Sequence, residues 1–290
     1  MSVREADDRI ATRNGFFDQR STIWRVNREM VLLAAGGRAL LMQLAHPKVA
    51  AGVAQHSDFQ TDPFARLHRT MEAMWSIVFD KEPQARKSLE RVTRLHTRVH
   101  GRVGSGEGSL AGVSYDANDQ DLLLWVHATL IDSALVGYDR FVAPLSLAEK
   151  RRYYDESKQL ARLFGINEAF IPGALDEFEV YMRSMMAGDE IRVGPTARKL
   201  GRDVLYARPW LFRIIGPLFR FVTAGLLPEK LRTGYDLNWN GRREQLLAGF
   251  LKTVRAVLPL TPNPVRVVPN ARGAEKARRD PRARQIRNAK

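Results

Sequence analysis

The chain has 290 residues and a mass of 32.9 kDa, and 44% of its residues are apolar. That is enough for one large or two ordinary domains with a substantial core, so a disordered chain and a mini-protein are excluded. It has no cysteine, which rules out a disulfide framework, a thiolate zinc site, an iron–sulfur cluster and a cysteine nucleophile, and leaves His, Asp, Glu, Tyr, Lys or Met to hold any metal or cofactor. The net charge is +14, and half of that excess falls in Pro262–Lys290, where nine basic residues face Glu275 and Asp280.

Met1–Arg20 is charged and has no continuous apolar run, so no signal peptide is expected and the chain is read as cytoplasmic. The stretch Met30–Ala54 is apolar but broken by Arg38, His46, Pro47 and Lys48, short of the ~18 uninterrupted apolar residues of a spanning helix. Pro47, Pro63 and Pro83 each stand where a first helical turn begins, with Asp62 as N-cap of the second; the third helix is expected to run to His100. The loop Gly101–Gly112 holds five glycines but lacks the Lys-Ser/Thr ending of a phosphate-binding loop, and reads as a mobile active-site loop or a plain connector.

Asn118 is expected to cap an apolar helix reaching about Tyr138, and Ser146 and Glu149 have the capping-box spacing for a helix that stops at Gly165. Trp210–Leu227 reads as a buried helix pair bent at Gly216 and Pro217. Its aromatics, with Arg213 and Arg220 on one face, would also suit an interfacial helix, and peripheral contact with a membrane surface stays open. Asn240 caps a helix that must stop before Pro259. Runs of alternating β-branched residues are nearly absent, so the fold class is all-α. The expected layout is a lead segment 1–20, a single multi-helix domain 21–258 and a flexible basic tail 259–290. No aromatic interleaves the tail's charges, and no specific nucleic-acid partner is expected.

All six histidines lie between residues 46 and 127. His96 shares a helical stripe with Leu89, Val92 and Val99, so its imidazole is directed to the core, where a metal bond plus one protein bond would satisfy both nitrogens; a core histidine bonded only to protein is the competing reading. His100, one turn on, gives a His-x-x-x-His spacing, although finishing the helix before Gly101 explains it better. His127 lies in a helix that is apolar all round and reads as a pocket residue or a core histidine satisfied by Asp132 or Ser133. Arg66 and Thr70 are one turn apart on a face continued by Ala73 and Ile77. An arginine there asks for an anion, from a cofactor carboxylate or phosphate or from a glutamate elsewhere, unless it snorkels to the surface.

Several segments together resemble the family of MpaB and the rubber oxygenases, or latex clearing proteins: Leu41–Val53, Asp62–Thr70, Arg94–Gly101 and Trp125–Leu130, with Tyr115-Asp-Ala and Tyr154-Asp-Glu156, in matching order and spacing over about residues 20 to 190. The resemblance implies a globin-like helical catalytic domain and a haem b oxygenase that cleaves double bonds of isoprenoid chains. Carried over by position, it implies that the arginine and threonine of the haem pocket are Arg66 and Thr70, and that the proximal iron ligand is His96. His127 belongs to a motif of this branch and is a further candidate for the cofactor pocket. Two positions depart from the latex enzymes: Arg69 replaces a lysine that can ligate the distal side, and before Arg66 only Asp58 and Asp62 stand where those enzymes carry a glutamate base.

The expected function is therefore a haem b oxygenase using dioxygen on an apolar isoprenoid or lipid-like small molecule. The alternatives are a non-haem metal enzyme using His96 with His100 or His127, and a non-catalytic helical protein that binds lipid or a membrane surface.

Overall fold

The computed structural model describes residues 15–57, 63–206 and 210–279. Helices α1 (Thr22–Asn27), α2 (Leu33–Leu44), α3 (Pro47–His56), α4 (Pro63–Phe79) and α5 (Glu82–His96) come first. A hairpin of β1 (His100–Arg102) and β2 (Ser114–Asp116) follows, and then α6 (Gln120–Phe141), α7 (Leu147–Leu163), α8 (Leu175–Ala187), α9 (Pro195–Leu205) and α10 (Trp210–Leu226). The chain closes with α11 (Glu229–Gly234), α12 (Gly241–Val257), α13 (Asn263–Arg266) and α14 (Pro269–Arg279). The fold is all-α, as expected, with one small antiparallel sheet among the described residues, in register His100 to Asp116 and Arg102 to Ser114.

The core is organised by α2 and α6, which pack along each other, with α10 and α9 against α2. α6 buries residues on every side, from Leu122 to Phe141, because its sequence leaves no polar face. Each fully buried Leu or Phe there contributes about 1.5–3 kcal/mol.

Local punctuation explains most helix ends. Ser146 and Glu149 close the capping box at α7, and Gly165 ends that helix in the left-handed region at φ +83°. The Asn240 side chain accepts the Arg243 N–H at 3.0 Å. The expected cap at Asn118 is corrected: Asp119 precedes α6, and Asn118 instead donates to the Asp116 carboxylate inside the turn after β2. The Asp62 cap and residues 1–14 lie outside the described residues. α10 runs through Pro217, with Val222–Ala224 buried and Ile215 and Leu218 exposed, so its second half is core and its middle reaches the surface; its first five side chains lie outside the description.

The expectation of a flexible tail from residue 259 does not hold for residues 259–279. Residues 263–279 fold back as α13 and α14, with Val267, Val268 and Ala271 in the main core. Val268 N–H donates to the Arg28 carbonyl, the Arg266 guanidinium grips both oxygens of the buried Glu29 carboxylate at 2.9 and 3.0 Å, and Asn270 donates to Asp80. The composition of the segment is too polar to fold alone, but it docks against partners from the opposite end of the chain. Residues 280–290 lie outside the described residues. No described helix is long and apolar enough to cross a membrane.

Candidate active site

α4 and α5 form a tight helical hairpin joined by Asp80 and Lys81. Ser88 Oγ donates to Ser76 Oγ at 3.0 Å across it. With that contact as the register and a rise of about 1.5 Å per residue, the antiparallel pairing sets His96 level with position 68 of α4, between positions 66 and 70. Thr70 is exposed, and the Arg66 side chain lies outside what the structure describes.

His96 is the last residue of α5, and Thr97 is the C-cap. The expected helix to His100 is therefore one turn too long: the chain leaves the helix and enters β1 at His100, which breaks the one-face His-x-x-x-His grip. A charged imidazole is ordinarily favoured at a helix C-terminus. Here burial of the half-buried ring lowers its pKa, while the nearby Asp116 carboxylate pulls less strongly in the other direction, so His96 is held as a neutral nitrogen donor. Among the described residues the ring makes no hydrogen bond.

His127 is buried on α6 and its pKa is lowered to about 4, chiefly by loss of hydration; the backbone of Ser157 on α7 provides its hydrogen bond. Asp132 and Ser133, expected as its partners, serve another group. Arg38, buried on α2, contacts the Asp132 carboxylate at 2.5 Å and donates to Ser133 Oγ at 2.7 Å and to the Leu226 carbonyl at 2.8 Å. The argument made for Arg66, that a buried guanidinium requires an anion, applies to Arg38 in full. The signal was legible as an arginine inside the apolar Met30–Ala54 stretch.

Two more histidines have structural partners. His46 is the N-cap of α3: its Nδ1 accepts the Lys48 N–H at 3.2 Å, which makes Nε2 the donor to Glu190 at 3.1 Å. His56 Nε2 bonds the His100 carbonyl at 2.9 Å. The glycine-rich loop is anchored rather than a free lid. Glu107 is buried in it and accepts the Thr196 N–H at the start of α9, and Arg192 donates to the Glu107 carbonyl. Gly101 lies so close to the Tyr115–Gln55 hydrogen-bonded pair that a Cβ would sit 2.9 Å from both side-chain oxygens. Beside this corner an open depression of about 420 Å³ is lined by His100, Arg102, Ser114, Tyr115, Asp116 and Asp119. Its lining is polar, which does not suit the apolar small molecule expected as substrate. No cluster of three or more metal-ligating side chains occurs among the described residues.

Residues 24–256 match the family described as ER-bound oxygenase mpaB/B'/Rubber oxygenase, catalytic domain. The chain belongs to the mpaB/rubber oxygenase family. The match spans α1 to α12 and so includes the α4–α5 hairpin and its histidine. An uncharacterized protein of Mycobacterium tuberculosis and one of Mycobacterium bovis are each 26% identical to this family member over 239 residues, 81% of this chain and 90% of the relative. No solved structure matches the chain.

Proposed function

We propose that this mpaB/rubber oxygenase family member is a haem b-dependent oxygenase that uses dioxygen on an apolar, isoprenoid or lipid-like small molecule. The observation that carries the reading is His96. It ends its helix next to positions 66 and 70, burial keeps it neutral, and no protein hydrogen bond occupies its ring among the described residues. The donor set fits a haem iron: the chain has no thiolate, and a neutral imidazole would be a ready iron ligand.

His96 would hold the iron, the Arg66 guanidinium would meet a propionate carboxylate, and Thr70 would border the pocket mouth. Haem bound there supplies an iron that binds and activates dioxygen. His127, neutral above about pH 4, adds a buried imidazole that faces the Ser157 backbone. With His100 on β1, the non-haem alternative loses the single-helix grip that motivated it. Protein purified from haem-supplemented cells should show a Soret band that disappears in His96→Ala. Absence of the band in the wild type, or its persistence unchanged in that variant, would refute the assignment.

A further inference from the structure

Four of the eleven large apolar side chains exposed among the described residues lie at one end of the molecule. The turn from α12 into α13 carries Val257 (53% exposed), Leu260 (83%) and Val265 (64%). The α6–α7 corner, with Leu147 56% exposed, sits beside the last turn of α12, because Arg255 donates to the Asp139 and Arg140 carbonyls. The turn is held rigidly: Arg255 fixes its start, Arg266 on Glu29 fixes its end, and Pro259, Pro262 and Pro264 stiffen what lies between. A leucine held this far into water by a clamped turn keeps its hydration cost for as long as nothing covers it.

The charge around the turn selects the cover. From Gln245 to Ala274 the chain has no acidic residue, while Lys252, Arg255 and Arg272 fall in that span beside Arg266, whose charge is taken by Glu29. The acids at this end are already neutralised: Glu29 by Arg266, Asp139 by Lys150, Glu149 by Arg25. Arg140, Arg151 and Lys252 are exposed. A protruding apolar prong with a surplus of cations at its base matches the boundary of an anionic bilayer, with acyl chains beneath and negative headgroups above.

We propose that Leu260 and Val265, supported by Val257 and Leu147, insert this end of the protein into anionic lipid surfaces. The assignment holds whether or not the oxygenase reading does.

Because the chain has no cysteine, Leu260→Cys carries a single polarity-sensitive dye on the full-length protein. The dye should shift to the blue when phosphatidylglycerol is mixed into phosphatidylcholine vesicles, and should not shift with phosphatidylcholine alone. In sedimentation, Leu260→Asp with Val265→Asp should lower partitioning onto the anionic vesicles by about tenfold or more. An unshifted dye on vesicles that still sediment the protein would overturn the proposal, since the basic residues beyond 279 would then be sufficient for binding. It would equally be overturned by the double variant sedimenting like the wild type, by no binding at all, or by a dye shift that grows with protein concentration without vesicles, which would indicate a protein partner.

Discussion

The α2–α6 core and the α5–β1 corner treat their polar side chains in opposite ways. In the core the buried Arg38 is committed to Asp132, Ser133 and a carbonyl, and His127 meets the Ser157 backbone, while the Trp125 indole N–H on α6 has no partner among the described residues. At the corner, His96 is desolvated enough to stay neutral and yet no hydrogen bond holds its ring among the described residues. Stability alone explains the first arrangement, because a buried donor without a partner costs about 1–3 kcal/mol. The second leaves a donor nitrogen available, which is what ligation requires.

Four measurements can break or sharpen this contrast, taken here from the largest expected stability loss to the smallest. Ending the chain after residue 262 removes the burial of Val267 and Val268 and leaves the Glu29 carboxylate buried without Arg266. Denaturant unfolding should report a loss of about 4 kcal/mol or more, whereas ending it after residue 279 should preserve these contacts. Arg38→Ala leaves the half-buried Asp132 carboxylate and the buried Ser133 hydroxyl without their guanidinium partner and should cost about 3 kcal/mol in the same assay. If it costs nothing, the Arg38 network does not stabilise the packing of α2 on α6.

His127 gives a pH signature. Its folded pKa of about 4 lies below the ordinary histidine value, so the unfolded chain binds more protons between the two. Stability attributable to it is complete above about pH 6.5 and falls as pH drops toward 4, with a slope near 1.4 kcal/mol per unit. The lowered values of His46 and His96 act in the same direction. His127→Gln should flatten the slope measured by urea unfolding across that window, and an unchanged slope would place the titration elsewhere. His96→Ala should cost less than about 1 kcal/mol, because the half-buried ring makes no hydrogen bond among the described residues, while abolishing the haem spectrum. A large loss of stability would turn His96 into one more structural histidine.

How much of this was legible beforehand depended on the range of the interaction. Caps and stops were read correctly where the signal is carried within a few residues, as at Ser146, Gly165 and Asn240. The all-α class followed from the same punctuation. Features decided by distant partners were not visible. Glu29 and Arg266 meet across 237 positions, and the composition of either neighbourhood says nothing of the other. The Arg38–Asp132 pair was hidden for the same reason, since it needs α2 and α6 to be laid side by side. The hairpin after His96 was missed because β1 and β2 are three residues each, too short for an alternating pattern. In the candidate site, His96 was singled out from its position in a stripe, and its separation from His100 could be learned only from where the helix stops.

The clasp of the chain's end on its beginning also bears on biosynthesis. Arg266 is among the last residues of the fold to leave the ribosome, and until it does Glu29 has no cation and the groove between α1 and α4 has no cover. α1 can form early, but its final seating must wait until residues 266–279 have left the exit tunnel, so this contact between distant segments forms late in folding. A nascent chain stalled before residue 266 would present that uncovered groove to chaperones, and completion of the C-terminal helices would be the event that ends the interaction.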